Sequence, residues 1–380
     1  KAGKLPTDYV FPHRLEEILL LERICRAHPT DGRAAFYLGN ALYDRRRYDD
    51  AIFYWERAAE REPSLSTVWR NLGIAYFNVR ADIGRARSAY DKAITAAPED
   101  ARILYERDQL WKRIGETPEE RLAELRRHPA LLASRDDLTI EHATLLNQTG
   151  NPQEALHLVS TRQFQPWEGG EGLVLQQYVR SQLLLGKRRL NEGNAPVALL
   201  HFQAALQPPP NLSEARHLLA NASDIYFWIG KAHRAHLDEV AARAALGRAA
   251  NQRGDFQKMS VRTVSDMTYW SALALRELGE EQRALDLFNA ILAYSDKLDR
   301  EEPKIDYFAT SLPTMLLFHD DLKKRAHVDA LFLRAQARMG IGNMVEARDL
   351  LDQVLSLDRN HTGAADLLGD LATLARAEIG

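Results

Sequence analysis

Between Gly32 and Pro98 the chain states one pattern twice. Leu38-Gly39 answers Leu72-Gly73, Ala51 answers Ala86, Trp55 answers Tyr90, Ala58 answers Ala93 and Pro63 answers Pro98. The offset is 34 residues at the first pair and 35 afterwards, which places one extra residue in the second copy's turn. Self-similarity at this period restricts the fold more than any other feature. Each copy is one helix–turn–helix unit that cannot bury its apolar face alone, so copies must stack.

The residue types fit that reading. Gly39 and Ala51 are small because two helices cross there, with Leu38 and Trp55 filling the space beside the crossing. Pro63 and Pro98 end the second helix of each copy. The pattern Trp69-x2-Leu72-Gly73-x2-Tyr76, followed by Ala86-x3-Tyr90-x2-Ala93-x4-Pro98, resembles the tetratricopeptide repeat. The resemblance implies an all-α chain, a right-handed α-solenoid superhelix of about eight such units closed by N- and C-terminal packing helices. Looser copies follow. Asp108 stands where the third copy should have Gly, while Leu185-Gly186, Ala198, Phe202 and Ala205 restore the pattern in the fifth.

The expected organisation runs as follows. Residues 1–31 form an entry segment and packing helix, docking through Leu5, Tyr9, Val10 and Phe11. Residues 32–162 hold about four units, 163–178 a Gly-rich aromatic loop, 179–298 the central units and 299–327 an insertion. Residues 328–380 hold the last unit and a capping helix, amphipathic through Ala364, Leu367, Leu368, Leu371 and Leu374. Three stretches break the repeat: QFQPWEGGEG at 163–172, the prolines 208–210, and the 299–320 segment. Long insertions in a compact array are often functional.

The chain's 380 residues carry a net charge of −3, so the whole has no electrostatic reason to seek nucleic acid or an anionic membrane. No apolar run approaches the length of a membrane span. The single cysteine, Cys25, lies on the apolar stripe of the first helix and reads as a small buried hydrophobe. The chain begins at Lys1 without Met, which suggests an excised piece of a longer protein. The LPTDYVFPHRLEEI start, the QFQPWEGGEG loop and DYFATSLP are similar to bacterial repeat proteins whose longer forms carry an N-terminal β-rich domain. That resemblance supplies no catalytic residue here.

In tetratricopeptide arrays the first helix of each unit lines a concave groove. The resemblance implies that Arg33, Phe36, Asn40, Tyr43 and Asp44 point there in unit one, and Arg70, Phe77 and Asn78 in unit two. Arg180, Lys187, Phe227, Lys231 and Arg234 follow, then Tyr269, Arg276 and Phe332. Aromatics interleaved with Arg and Lys suit an acidic or extended peptide. Family members that clamp a C-terminal carboxylate use Lys and Arg at positions held here by Phe36 and Glu106, so that variant of the groove is not expected.

Trp167, Glu168 and Glu171 could present a ring and carboxylates to a sugar; equally, Trp167 could plug a gap between units. His233, His236 and Glu239 have a spacing that can hold a metal, but His233 falls in a core slot, and no metal or cofactor is expected. No nucleophile elbow, phosphate loop, zinc-protease motif or dinucleotide fingerprint occurs. The sequence therefore reads as a non-catalytic, cytoplasmic scaffold that binds a protein or peptide through its groove. The alternative is the accessory region of a larger bacterial, possibly glycan-processing, enzyme, with carbohydrate as a less favoured partner.

Overall fold

The computed structural model describes residues 7, 10–167, 169–252, 254–257, 260–303 and 317–377. The chain divides into two compact units. The first comprises residues 1–114 together with 316–320, and the second residues 115–315 and 321–380. This division falls inside the stretch assigned from sequence to a third hairpin.

The first unit opens with α1 (Leu15–Ala27) and continues through α2 (Gly32–Asp44), α3 (Tyr48–Arg61), α4 (Ser66–Asn78), α5 (Ile83–Ala96) and α6 (Ala101–Ile114). The helices start where the residues allow. The Asp31 carboxylate accepts the Ala34 amide at the start of α2, and Asp82 accepts that of Arg85 at the start of α5. Each such cap satisfies an amide that the helix itself leaves unpaired. The α2–α3 and α4–α5 hairpins close on the small residues of the repeat. A methyl group on Gly39 would lie 2.4 Å from the Trp55 ring, and one on Gly73 would lie 2.5 Å from Tyr90. Ala51 and Ala86 are fully buried across the same crossings. The repeat pattern is thus a packing rule: glycine on one helix makes room for the aromatic on the next. Cys25 is buried beside this core, and burial raises its thiol pKa. The entry segment differs from expectation. Phe11 is exposed and Val10 largely so, while Leu5 and Tyr9 lie outside the described residues.

The second unit begins with the short helices α7 (Pro118–Leu125) and α8 (Pro129–Leu132), followed by α9 (Asp136–Gln148) and α10 (Pro152–Thr161). The hairpins α11 (Leu173–Asn191) with α12 (Ala195–Leu206) and α13 (Ser223–Ala235) with α14 (Glu239–Asn251) come next. Gly186 lies under Phe202 and Gly230 under Leu246, the same close approach with a smaller second partner. A two-stranded antiparallel ribbon, β1 (Asp255–Gln257) and β2 (Ser260–Arg262), interrupts the helices with Phe256 opposite Val261. Then come α15 (Met267–Glu277), α16 (Glu281–Arg300), α17 (Leu322–Ile341), α18 (Met344–Leu357) and α19 (Thr362–Ala377).

Two long helices claim both ends of the expected 299–327 insertion. α16 continues to Arg300 and α17 begins at Leu322. The added turns are tied together by His327 Nδ1, 2.6 Å from Asp299, and by the Arg334–Asp296 ion pair at 3.0 Å. α19 buries Ala364, Leu367 and Leu371 and packs on α18.

The other two interruptions pin each other within the second unit. Asn211 donates from Nδ2 to the carbonyls of Val159 and Arg162, and its own carbonyl accepts the Phe164 amide. The Phe164 side chain is fully buried, and Glu214 accepts the amides of Gly172 and Leu175 at the start of α11.

Candidate functional site

In the first unit, the first helices of successive hairpins carry a cleft of about 310 Å³. It is lined by Asn40, Tyr43, Asp44, Trp55, Arg70, Asn71 and Ile74. Its floor is a run of amides held in register. Asn40 Oδ1 accepts from Trp55 Nε1 at 3.0 Å and from Asn71 Nδ2 at 3.1 Å. The Tyr43 ring packs 5.1 Å from Trp55 and 4.9 Å from Tyr48, and burial raises its phenol pKa. Arg70 forms a two-pronged pair with Glu106, at 2.6 and 2.7 Å, and Arg102 adds a third bond to the same carboxylate at 2.8 Å. Glu106 therefore engages the guanidinium groups of both Arg70 and Arg102 within the chain. Arg33 is likewise paired with Glu62 at 3.0 Å, and Phe36 is buried in the core.

One end of this face is occupied by the chain itself. Asn78 Nδ2 donates to the Leu317 carbonyl at 2.9 Å, and the His319 amide donates to Asn78 Oδ1 at 2.8 Å. Between these two bonds the Phe318 side chain is 1 % exposed. Its ring meets Phe77 edge-on at 5.2 Å and Tyr90 at 5.9 Å, with the Arg113 guanidinium 5.9 Å above it.

In the second unit the sequence-predicted cations have partners within the chain. Arg180 binds Asp366 through two bonds at 2.8 and 2.7 Å, and Lys187 binds Asp370 at 2.7 Å while lying over Trp228 at 5.1 Å. Lys231 and Arg234 share Glu277, Arg234 also pairs with Glu239, and Arg276 pairs with Glu281 at 2.8 Å. Phe227, Tyr269 and Phe332 are buried; the Phe332 ring packs at a tilt against His361 at 4.7 Å and covers Gly363. Asp366 and Asp370, four residues apart on α19, escaped the sequence reading because that helix was read only for its apolar stripe.

Burial pushes the Asp224 carboxyl up to about 6, against the opposing pull of the Ile225 amide and Arg216. A carboxyl whose pKa rises on folding lowers stability as pH climbs from its unfolded value to its folded one. Asp224→Asn should therefore raise Tm at pH 7.5, with the gain fading as pH falls below 6 toward 4. A gain equal at both ends of that range would contradict the assignment.

The Gly-rich loop folds on itself. Trp167 covers Gly170, where an added methyl would lie 1.9 Å from the indole, and Glu171 accepts the Gly169 amide at 2.9 Å. Glu168 lies outside the described residues. His233 is 3.8 Å from Asp238, and among the described residues no group of three His, Cys, Asp or Glu side chains is placed to hold a metal ion. No helix among them is long and apolar enough to cross a membrane.

These features define an all-α protein built of repeated antiparallel hairpins, with a polar, aromatic-walled cleft on the first-helix face of one unit. Models of the tetratricopeptide repeat match residues 32–65 and 329–361, so the chain contains tetratricopeptide repeats in these two stretches. Among solved structures it is similar to YrrB, a tetratricopeptide-repeat protein with an unusual peptide-binding site. The identity is 17 %, over 59 % of this chain and 96 % of that one, with a TM-score of 0.36. A tetratricopeptide-repeat protein from Parabacteroides merdae matches 68 % of this chain and 91 % of its own, at 13 % identity and a TM-score of 0.34. The Cut9–Hcn1 hetero-tetramer of APC/C matches 97 % of this chain over 61 % of its own, at 13 % and 0.33.

Proposed function

We propose that this chain is a non-catalytic scaffold that captures a short non-helical segment of a protein partner on the first-helix face of its first unit. The observation that carries this reading is the Asn78 side chain, which uses both its amide atoms on the main chain of residues 317 and 319. Bonds to main chain fix a ligand's position without demanding its sequence, and the adjoining cleft leaves side-chain selection to Asn40, Tyr43, Arg70 and Phe77. The cations of the second unit serve in this reading as internal ion pairs, since Arg180, Lys187, Lys231, Arg234 and Arg276 each have an acidic partner.

Selection of a random peptide library on the purified chain tests this. With the Phe318→Ala chain as the parent, so that residues 317–319 no longer compete, selected peptides should lose about tenfold or more in affinity on adding Asn78→Ala, as expected for removal of a pair of desolvated hydrogen bonds. Peptides that bind the variant and the parent equally would contradict the reading.

A further inference from the structure

We infer that the Leu317-Phe318-His319 stretch is a resident ligand. It holds the first unit's site in the manner of a partner peptide, and the partner must displace it. The inference rests on the scaffold reading above and adds two things: the ligand's chemistry and a competition that regulates access.

The contact has the features of ligand recognition and few of those of ordinary packing. The stretch is remote in sequence, more than two hundred residues from the helices it touches. It is neither helix nor strand, so nothing in its own secondary structure places it there. Its main chain is read by one side chain from both sides of a single residue. That residue, Phe318, goes from a short irregular stretch into complete burial, while the flanking Leu317 is half-buried and His319 is exposed. The pocket around it is specific for a ring. Phe77 offers an edge-to-face partner, Tyr90 a second ring, and Arg113 a cation over the face. Such contacts favour an aromatic beyond its buried area.

The site therefore selects a peptide with an aliphatic residue, then Phe, then a polar residue. Through Asn78 it donates to the carbonyl of the first and accepts the amide of the third. A segment tethered in the same chain competes at an effective concentration on the order of 1 mM. A free peptide with a Kd of about 10–100 μM in the emptied site would then bind the parent about 10- to 100-fold more weakly.

The test is fluorescence anisotropy with a labelled peptide of the chain's own sequence 314–322, TMLLFHDDL, titrated with the full chain. Phe318→Ala should bind this peptide at least tenfold more tightly than the parent. His319→Pro, which removes the donated amide while keeping the Phe318 ring, should act in the same direction. Adding Asn78→Ala to Phe318→Ala should abolish the gain. Binding to both variants no tighter than to the parent would overturn the inference. A parent that sediments as a dimer, and becomes monomeric on Phe318→Ala, would also overturn it by assigning the segment to a second copy. These failures are separable from failure of the scaffold reading. Library peptides that still need Asn78 would preserve that reading, and library peptides indifferent to Asn78 would end it.

Discussion

Ala51→Glu unfolds the α2–α3 hairpin. Ala51 is fully buried, at the crossing where Gly39 lies beneath the Trp55 ring. Ala51 belongs to the apolar cluster that also holds Leu38, Leu42, Ile52 and Trp55, and the carboxylate would enter that cluster. A charge buried without a partner costs several kcal/mol, a large share of the stability of a domain this size. The expected result is a loss of amide-exchange protection across residues 32–61 and a clear fall in the first unit's melting temperature. Ala51→Gly, which adds no charge and removes only a methyl, should cost about 1 kcal/mol. Equal effects of the two substitutions, or a melting curve unchanged by the Glu, would remove Ala51 from the crossing.

Arg121→Ala should destabilise the second unit by about 3–5 kcal/mol. The Arg121 side chain is 1 % exposed, yet it carries a full charge. It bonds Glu141 at 2.5 Å and Asn360 at 2.6 Å, joining α7 and α9 to the turn that precedes α19. Removing the guanidinium takes the main cation away from a carboxylate that stays buried. Removing both charges is a different matter. Arg121→Met combined with Glu141→Leu should recover most of the loss, because the desolvation of both ions disappears with them. Chemical denaturation of the two variants checks this. A double variant as unstable as Arg121→Ala would show that the loss comes from packing and not from the stranded charge.

The parts of the fold legible in the sequence are those where one residue type answers one geometric need. Gly39, Gly73 and Gly186 each lie under a ring, and the ring follows at a nearly constant spacing in the next helix. That correlation survives in a single sequence because it is local. The third copy lost its small residue to Asp108, and there the second helix is replaced by the short α7 and α8. The ends of α16 and α17 were misjudged because their extra turns are held by Asp296, Asp299, His327 and Arg334, contacts between residues far apart in the chain.

The candidate site was legible only in half. Asn40, Tyr43 and Arg70 line the cleft. Charge pairing across the array is invisible to the repeat pattern. The acids that meet Arg70, Arg180, Lys187 and Lys231 come from Glu106, α19 and Glu277, and only folding brings them together. The interruptions split in meaning. The Trp167 loop closes on Gly170, and Asn211 beyond the prolines ties the segment at Phe164 to α10. The stretch before α17 instead delivers Phe318 to Asn78, Phe77 and Tyr90, at a site the repeat pattern marked from the other side.

The most direct test of the central claim is a crystal structure of the Phe318→Ala chain with a library-selected peptide bound. The account predicts that Asn78 donates to a peptide carbonyl and accepts a peptide amide two residues on, with an aromatic side chain against Phe77, Tyr90 and Arg113. A peptide seated elsewhere, with Asn78 making neither bond, would contradict it.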